Sequence, residues 1–124
     1  MVQKEKLQEQ VVAMVEYDQD SSVRDKLNKL YYLHTDLEGQ YYLLFKAIFE
    51  TKNTYSNAYQ TAIRYRTWLT NEIYSQLRSL KADSSFHDAK LLLHVIEGTI
   101  IQRLSYNDVD ERDKQFEYFI AMLS

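Results

Sequence analysis

The sequence predicts an all-α protein, and three observations carry that prediction. Proline is absent and glycine occurs only at Gly39 and Gly98, although hairpins and sheets need such turn residues. Apolar residues recur at intervals of three and four along most of the chain, which is the periodicity of amphipathic helices. Ser-x-x-Asp sequences at Ser22 and Ser85 have the form of helix capping boxes. We therefore expect a single domain, residues 1–124, folded as a bundle of about six helices.

Three helices are predicted in the amino-terminal half. The first spans about Gln3–Glu16 and ends at the polar run 17–21. The second begins at the Ser22 cap, and Gly39 separates it from a third, strongly apolar helix. Their inward stripes are Leu7, Val11, Met14 and Val15 in the first helix, Val23, Leu27, Leu30, Tyr31, His34 and Leu37 in the second, and Tyr41, Tyr42, Leu44, Phe45, Ile48 and Phe49 in the third.

Three further helices follow a predicted linker at Thr51–Thr54. The fourth spans about Tyr55–Leu80. The fifth starts at the Ser85 box and is apolar on nearly all sides, so we expect neighbours to cover more than one of its faces. The sixth begins in the acidic stretch 107–111, whose carboxylates suit the positive end of a helix dipole. The stripes are Tyr59, Ile63, Arg66, Leu69, Ile73, Leu77 and Leu80 in the fourth helix, Leu91, Leu92, Leu93, Val95, Ile96, Ile100 and Ile101 in the fifth, and Phe116, Phe119, Ile120 and Leu123 in the sixth.

Composition argues against several function classes. The chain has 15 Lys and Arg against 18 Asp and Glu, a net charge of −3, which leaves no surplus to neutralise the phosphates of duplex DNA. There is no cysteine, which excludes disulfides, thiolate nucleophiles and the common zinc ligand sets. No apolar run approaches the roughly 20 residues that span a bilayer, and the polar start is not a signal peptide. We expect a cytoplasmic protein with no membrane partner.

No motif for covalent chemistry or metal binding is present. The histidines His34, His87 and His94 form no H-E-x-x-H pattern, and the chain has neither a G-x-S-x-G sequence nor a P-loop. We therefore expect a binding protein and not an enzyme, with no metal and no cofactor. His94 and Glu97 share a helix face, either as a polar anchor for a ligand or as a hydrogen-bonded pair at a helix contact. On its apolar stripe, His34 fits a ligand pocket and a satisfied core position equally well.

Gly98 interrupts the most apolar helix of the chain. A glycine inside a helix costs about 1 kcal/mol relative to alanine, and close approach by another helix would explain its presence. The alternative is a glycine tolerated without function. We predict a homodimer through the fifth and sixth helices, with an interface made of Leu91, His94, Val95, Gly98, Ile101, Phe116, Phe119, Ile120 and Leu123.

Three segments resemble the C-terminal domain of TetR-like bacterial transcriptional repressors. Lys4–Leu7 resembles the K-E-x-L run that opens the helix after that family's DNA-binding head. Asp83–Leu104 is similar to the penultimate helix, with an apolar run, then Glu97-Gly98, then a further apolar turn. Asp108–Leu123 resembles the short last helix. Helix order and lengths also agree, so the resemblance covers essentially the whole chain.

The resemblance implies that the last two helices of each subunit form a four-helix dimer interface. The preceding helices would enclose a small apolar or aromatic effector, whose binding would alter the spacing of two DNA-binding heads. The helix-turn-helix head is missing from this sequence, so we expect no specific duplex binding by this chain alone. The predicted pocket residues are Tyr31, His34, Tyr42, Phe45, Tyr65, Trp68, Leu92 and Ile96. The rival hypothesis is a helical interaction module whose apolar groove accepts a partner helix.

Overall fold

The structure, a computed structural model, describes residues 2–17, 21–49, 57–106 and 109–123. Within these ranges it contains six α-helices and no strand, which confirms the predicted all-α class and helix number. The helices are α1 (Val2–Val12), α2 (Val23–Thr35), α3 (Gln40–Phe49), α4 (Asn57–Leu80), α5 (Phe86–Tyr106) and α6 (Val109–Leu123). A π-helical turn, Ala13–Tyr17, continues α1.

Serine caps determine where α2 and α5 begin. The Ser22 hydroxyl accepts a hydrogen bond from the Asp25 backbone N–H at 3.1 Å, and the Ser85 hydroxyl accepts one from Asp88 at 3.3 Å. At the start of α5 the Asp88 carboxylate also accepts a hydrogen bond from the Ser85 backbone N–H, at 2.8 Å. These bonds satisfy donors that the first turn of a helix leaves unpaired. Both predicted capping positions are confirmed.

The predicted break at Gly39 agrees with the structure. Of the break predicted at 17–21, Tyr17 belongs to the π-helical turn and residues 18–20 lie outside the described residues. After α2, the Gly39 N–H donates to the Asp36 carbonyl at 3.0 Å, and α3 begins at the next residue. The predicted linker Thr51–Thr54 lies outside the described residues, and α4 is described from Asn57 onward. Two carboxylates, one of them Asp110, occupy the first turn of α6, where the helix dipole favours negative charge.

Helix α2 lies at the centre of the packing. It contacts α3, α4, α5 and α6, while α4 packs against α3 and α5, and α1 packs on α3 and α4. The buried residues of α2 fall on one stripe, because positions three and four apart share a helix face. They are Leu27, Leu30, Tyr31, His34 and Thr35. The stripe predicted from periodicity is therefore the side of α2 that is buried in the core. It includes two ring side chains with polar atoms, Tyr31 and His34.

Helix α5 buries one side and exposes the other. Leu92, Ile96 and Ile100 are fully buried, whereas Leu91 and Ile101 are 38% and 53% exposed. The inner side packs against α2, α4 and α6. We expected neighbours to cover this helix on more than one face, and within the described chain its outer apolar side chains remain in contact with solvent.

The two adjacent leucines of α3 test the register of that helix. Leu44 is 2% exposed and Leu43 is 54% exposed. We predict that Leu44→Ala lowers the free energy of unfolding by about 2–5 kcal/mol, because it removes buried methyl groups and leaves a cavity. The matched change Leu43→Ala should alter it by no more than about 0.5 kcal/mol. Urea unfolding of both variants measures the difference, and equal losses would contradict this placement of α3.

Candidate functional site

A cluster of polar and aromatic side chains, buried except for a partly exposed arginine, lies between α2, α3, α4 and α5. It consists of His34, Tyr41, Tyr65, Arg66 and Glu97, and we refer to it as the polar cluster. Its three rings lie close together, with centroid distances of 4.9 Å from His34 to Tyr41, 5.7 Å from Tyr41 to Tyr65 and 5.9 Å from His34 to Tyr65. All three ring side chains are fully buried. A core filled for stability alone favours aliphatic side chains that carry no polar atoms.

Burial keeps His34 neutral, and its hydrogen bonds fix the tautomer. Its Nδ1 lies 2.7 Å from the Leu30 carbonyl oxygen, which can only accept, so Nδ1 carries the proton. Nε2 therefore accepts a hydrogen bond from the Tyr65 hydroxyl, at 2.6 Å. Burial lowers the pKa of His34 to about 4, because a charged imidazolium would lose its hydration. Both ring nitrogens are satisfied within the chain.

A charged pair links α4 to α5 beside these rings. Nη2 and Nε of Arg66 both donate to Oε1 of Glu97, at 2.6 Å and 3.1 Å. The Glu97 side chain is 6% exposed and the Arg66 side chain 29%. Burial raises the pKa of Glu97, and the neighbouring Arg66 guanidinium opposes that increase. The inner face of α5 thus presents a buried carboxylate that Arg66 holds through one oxygen.

Two buried atoms of the polar cluster have no hydrogen-bond partner within the described part of the chain. They are the Tyr41 hydroxyl oxygen and the second carboxylate oxygen of Glu97, Oε2. Burial raises the pKa of Tyr41, and the negative charge of Glu97 adds to that increase. An unsatisfied buried polar group costs about 1–3 kcal/mol. A ligand that offers a hydrogen-bond donor to Glu97 and reaches the Tyr41 hydroxyl would recover part of that cost.

Tyr31 connects α2 to both carboxy-terminal helices. Its hydroxyl donates to the backbone carbonyl of Arg112 on α6, at 2.6 Å. The same oxygen lies 2.9 Å from the Thr99 hydroxyl of α5, which therefore donates to it. The ring packs against Phe116 with centroids 5.1 Å apart, and burial raises the pKa of Tyr31 to about 12. Tyr31 thereby fixes α2 against α5 and α6.

The eight predicted pocket residues fall into three groups. His34, Tyr65 and Trp68 lie side by side, with 5.6 Å between the ring centroids of Tyr65 and Trp68. Tyr42 and Phe45 contact each other on α3, at 6.4 Å. The other three are buried in the core: Tyr31, Leu92 and Ile96. Trp68 also lines a surface cleft of about 470 Å³ beside α1.

Sequence reasoning did not select Tyr41, Arg66 or Glu97 for the predicted pocket. A signal was present, because Arg66 falls on the apolar stripe of the fourth helix and Glu97 lies within the most apolar helix. A charge in such a position needs a partner of opposite sign. The two residues lie on different helices, however, and spacing within one helix cannot pair them. The hydrogen bonds of Glu97 go to Arg66, whereas His94, one turn away on α5, is exposed.

The residues predicted for a dimer interface divide between surface and core. Leu91, His94, Gly98 and Ile101 are exposed, and Val95 is partly buried. An added Cβ at Gly98 would meet nothing within 4 Å. The side chain of the sixth-helix residue Leu123 lies outside the described residues, and the remaining three are buried in the chain's own core: Phe116, Phe119 and Ile120. A partner subunit would therefore contact α6 through other side chains, and Tyr118 and Met122 are 69% and 70% exposed on that helix.

Neither a metal site nor a membrane helix is found among the described residues. No group of three or more His, Asp or Glu side chains there could hold a metal ion. None of the helices in those ranges combines the length and hydrophobicity required to cross a bilayer. Clefts lie on both flanks of α5, one of about 250 Å³ against α4 and one of about 330 Å³ against α6. The arrangement as a whole offers binding groups on the inner face of α5 and apolar surface on its outer face.

The burial of neutral His34 predicts a dependence of stability on pH. Its pKa is about 4 in the folded chain and about 6.5 when unfolded. The unfolded chain therefore binds more protons between these values, so stability falls as the pH falls through that window. We expect the His34 contribution to drop by about 2 kcal/mol from pH 7 to pH 5.

Urea unfolding at the two pH values measures this loss. His34→Gln removes the titrating group, and the difference between the parent chain and this variant isolates its contribution from those of the carboxylates. A parent and variant that lose equal stability between pH 7 and pH 5 would contradict a buried neutral His34.

The two cluster tyrosines should respond differently to loss of the hydroxyl. Tyr65→Phe leaves Nε2 of His34 buried without a donor, so we predict a loss of about 1–3 kcal/mol. Tyr41→Phe removes a hydroxyl that has no partner within the described chain, so stability should stay the same or rise by up to about 1 kcal/mol. Chemical denaturation compares the two variants. A larger loss for Tyr41→Phe than for Tyr65→Phe would show that the hydrogen-bond pattern described above is incorrect.

In comparisons with protein-family models, curated proteins and solved structures, the chain matches none. The resemblance to TetR-like regulators stays a prediction. The described chain offers three features for binding: the polar cluster, the exposed side of α5 and the clefts that flank this helix.

Proposed function

We propose that this chain is the ligand-sensing and dimerisation domain of a TetR-like transcriptional regulator, which binds a small apolar or aromatic effector. One observation carries the proposal: α5 has a binding group on its inner face and an apolar surface on its outer face. On the inner face Glu97 is buried with Oε2 unpaired within the described chain. On the outer face Leu91 and Ile101 are exposed on either side of Gly98. A single rigid helix thus connects a candidate effector site to a candidate subunit contact.

The inner face of α5 favours an effector that combines an aromatic or apolar body with a hydrogen-bond donor. Glu97 Oε2 and the Tyr41 hydroxyl would bind the polar atom. Tyr65 and Trp68, whose ring centroids lie 5.6 Å apart, would contact the apolar body. Small-molecule sites usually combine apolar walls with a few polar anchors. Because the polar cluster is buried, effector entry requires α3 or α4 to move away from α5, and binding would stabilise that rearranged state.

The outer face of α5 favours helix-to-helix association. Leu91, His94, Gly98 and Ile101 follow one another at intervals of three, four and three residues. This spacing places them on one seam of the helix, as at helix-packing surfaces. Glycine on the seam permits close approach of a second helix, and the exposed Tyr118 and Met122 of α6 would extend the surface. Exposed apolar patches on a protein surface commonly mark association sites.

A displacement of α5 would couple the two faces. Tyr31 of α2 binds both Thr99 on α5 and the Arg112 carbonyl on α6, so α2, α5 and α6 would shift as a unit relative to the other helices. In a four-helix interface such a shift changes the relative orientation of the subunits. Effector binding would thereby alter the spacing of the DNA-binding heads that this family carries.

An interaction module is the second candidate function. The dense packing of the predicted pocket residues favours it, since six of the eight are buried. In that case the outer face of α5 would accept a helix from a different protein. The oligomeric state of the isolated chain discriminates between the two candidates.

We predict that the chain is a homodimer at micromolar concentration in sedimentation velocity. Gly98→Leu should shift the equilibrium toward monomer, because the larger side chain overpacks a close helix contact at a cost of about 1–3 kcal/mol. The fold of each monomer should persist, as nothing lies within 4 Å of an added Cβ. Circular dichroism checks this, and the exposed Leu43, changed to alanine, serves as the control. A monomeric parent chain would contradict the dimer and favour the interaction module.

We also predict that an aromatic compound with a hydrogen-bond donor stabilises the domain. Binding only to the folded state at 100 times its Kd adds about 2.7 kcal/mol, which a thermal-shift screen detects. Fluorescence of Trp68, the sole tryptophan, gives a second measure of binding. Tyr41→Phe should abolish the response, whereas Tyr118→Phe, at an exposed position of α6, should retain it. The proposed site would be contradicted if no compound raised the melting temperature. It would also be contradicted if the compounds that do so stabilised Tyr41→Phe to the same extent.

A further inference from the structure

The cleft between α4 and α5 has a composition that the proposed function does not explain. Its volume is about 250 Å³, slightly below the range typical of drug-sized ligands. Three of its lining residues bear cationic or titratable nitrogen groups: Arg66, Lys90 and His94. The others are the hydroxyl residues Thr67 and Thr70 and the apolar residues Ile63 and Leu93. We refer to it as the cationic cleft.

The charged residues that line this cleft are cationic, although the chain as a whole is negative. The whole sequence has a net charge of −3, yet no aspartate or glutamate is among the residues that line the cleft. Lys90 lines the cleft and also lies over the ring of Phe86, with Nζ 5.3 Å from the centroid. His94 is exposed at the edge of the cleft. Positive groups that converge in a concave site raise the local concentration of anions.

Arg66 adds directed donors to this charge. Glu97 Oε1 accepts bonds from Nε and Nη2, and a guanidinium has five N–H donors. Both hydrogens of Nη1 and one hydrogen of Nη2 are therefore not used in the bonds to Glu97. The Thr70 hydroxyl donates to the Arg66 carbonyl at 2.8 Å, so it can only accept from a ligand. The Thr67 side chain is exposed at the cleft and can donate.

We propose that the cationic cleft binds a small organic carboxylate. Arg66 and Lys90 would hold the carboxylate, since charge-assisted hydrogen bonds to a guanidinium or ammonium are the stronger class of such bonds. Ile63 and Leu93 would contact a compact apolar group, which an inorganic anion lacks. The Glu97 carboxylate shows that a carboxylate binds Arg66 in this fold, at 2.6 Å. The ligand would approach the same guanidinium from the solvent side.

This site is distinct from the proposed effector site. The effector would bind Tyr41 and Glu97 Oε2 in the core, whereas the carboxylate would bind Arg66 on the cleft side of the ion pair. Variants on each side therefore report on one site only. Substitution of Lys90 tests carboxylate binding in the cleft, and removal of the Tyr41 hydroxyl tests effector binding in the core.

Titration calorimetry with benzoate, benzamide and benzylamine tests the proposal. The three probes share an aromatic ring and differ in charge. In the Tyr41→Phe background, where the proposed effector site is disabled, benzoate should bind at least about tenfold more tightly than either of the others, as expected for charge-assisted bonds. Lys90→Gln should weaken benzoate binding by about tenfold. Lys81→Gln removes the same charge from an exposed residue outside the cleft and should leave the Kd unchanged.

Two further measurements complete the test. Tyr41→Phe should leave benzoate binding unchanged, which separates this site from the effector site. Inorganic phosphate should compete only weakly, because it cannot use Ile63 and Leu93. Three results would each overturn an organic carboxylate site. They are equal affinity for benzoate and benzamide, an unchanged benzoate affinity in Lys90→Gln, and displacement of benzoate by an equal concentration of phosphate. The circular dichroism spectrum of Lys90→Gln should match that of the parent chain, which shows that the variant is folded and that only binding is weakened.

Discussion

The ion pair between Arg66 and Glu97 is the interaction on which the rest of the site depends. Removing two charges from water costs several kcal/mol each, and their attraction compensates only when geometry and further hydrogen bonds are good. Here two of the donors of Arg66 converge on one carboxylate oxygen, which links α4 to α5. The second oxygen is buried, as is the Tyr41 hydroxyl, and Arg66 also lines the cationic cleft. One pair therefore creates a polar site on each of its sides.

The position of α5 links these sites to the surface of the molecule. Its inner face packs against α2 and α4, and its outer face exposes Leu91, Gly98 and Ile101. Tyr31 of α2 connects it to α6, because the same hydroxyl is bonded to Thr99 and to the Arg112 carbonyl. A ligand that changes the contacts of Glu97 would act on the whole carboxy-terminal helix pair, which is the physical basis for proposing a sensor.

Periodicity and capping predicted the fold well, because both are local properties of the sequence. The Ser22 and Ser85 caps and the α2 stripe are where those signals placed them. Contacts between helices were harder to predict. The apolar stripe of α6 was assigned to a partner subunit, and the structure uses Phe116 within the chain's own core, since one apolar stripe fits either neighbour equally well. The partner of Glu97 was also missed, because pairing across helices depends on their packing angle and leaves no fixed spacing in the sequence.

A double-mutant cycle on Arg66 and Glu97 tests the central role of this pair most directly. Arg66→Met leaves a buried carboxylate without its partner, and we expect a loss of about 3 kcal/mol in the free energy of unfolding. Adding Glu97→Met removes that stranded charge, so the double variant should be far more stable than the sum of the single changes predicts. Urea unfolding of the four proteins should give a coupling energy of at least about 2 kcal/mol. A coupling energy near zero would mean that the two side chains do not depend on each other, and this would contradict the account.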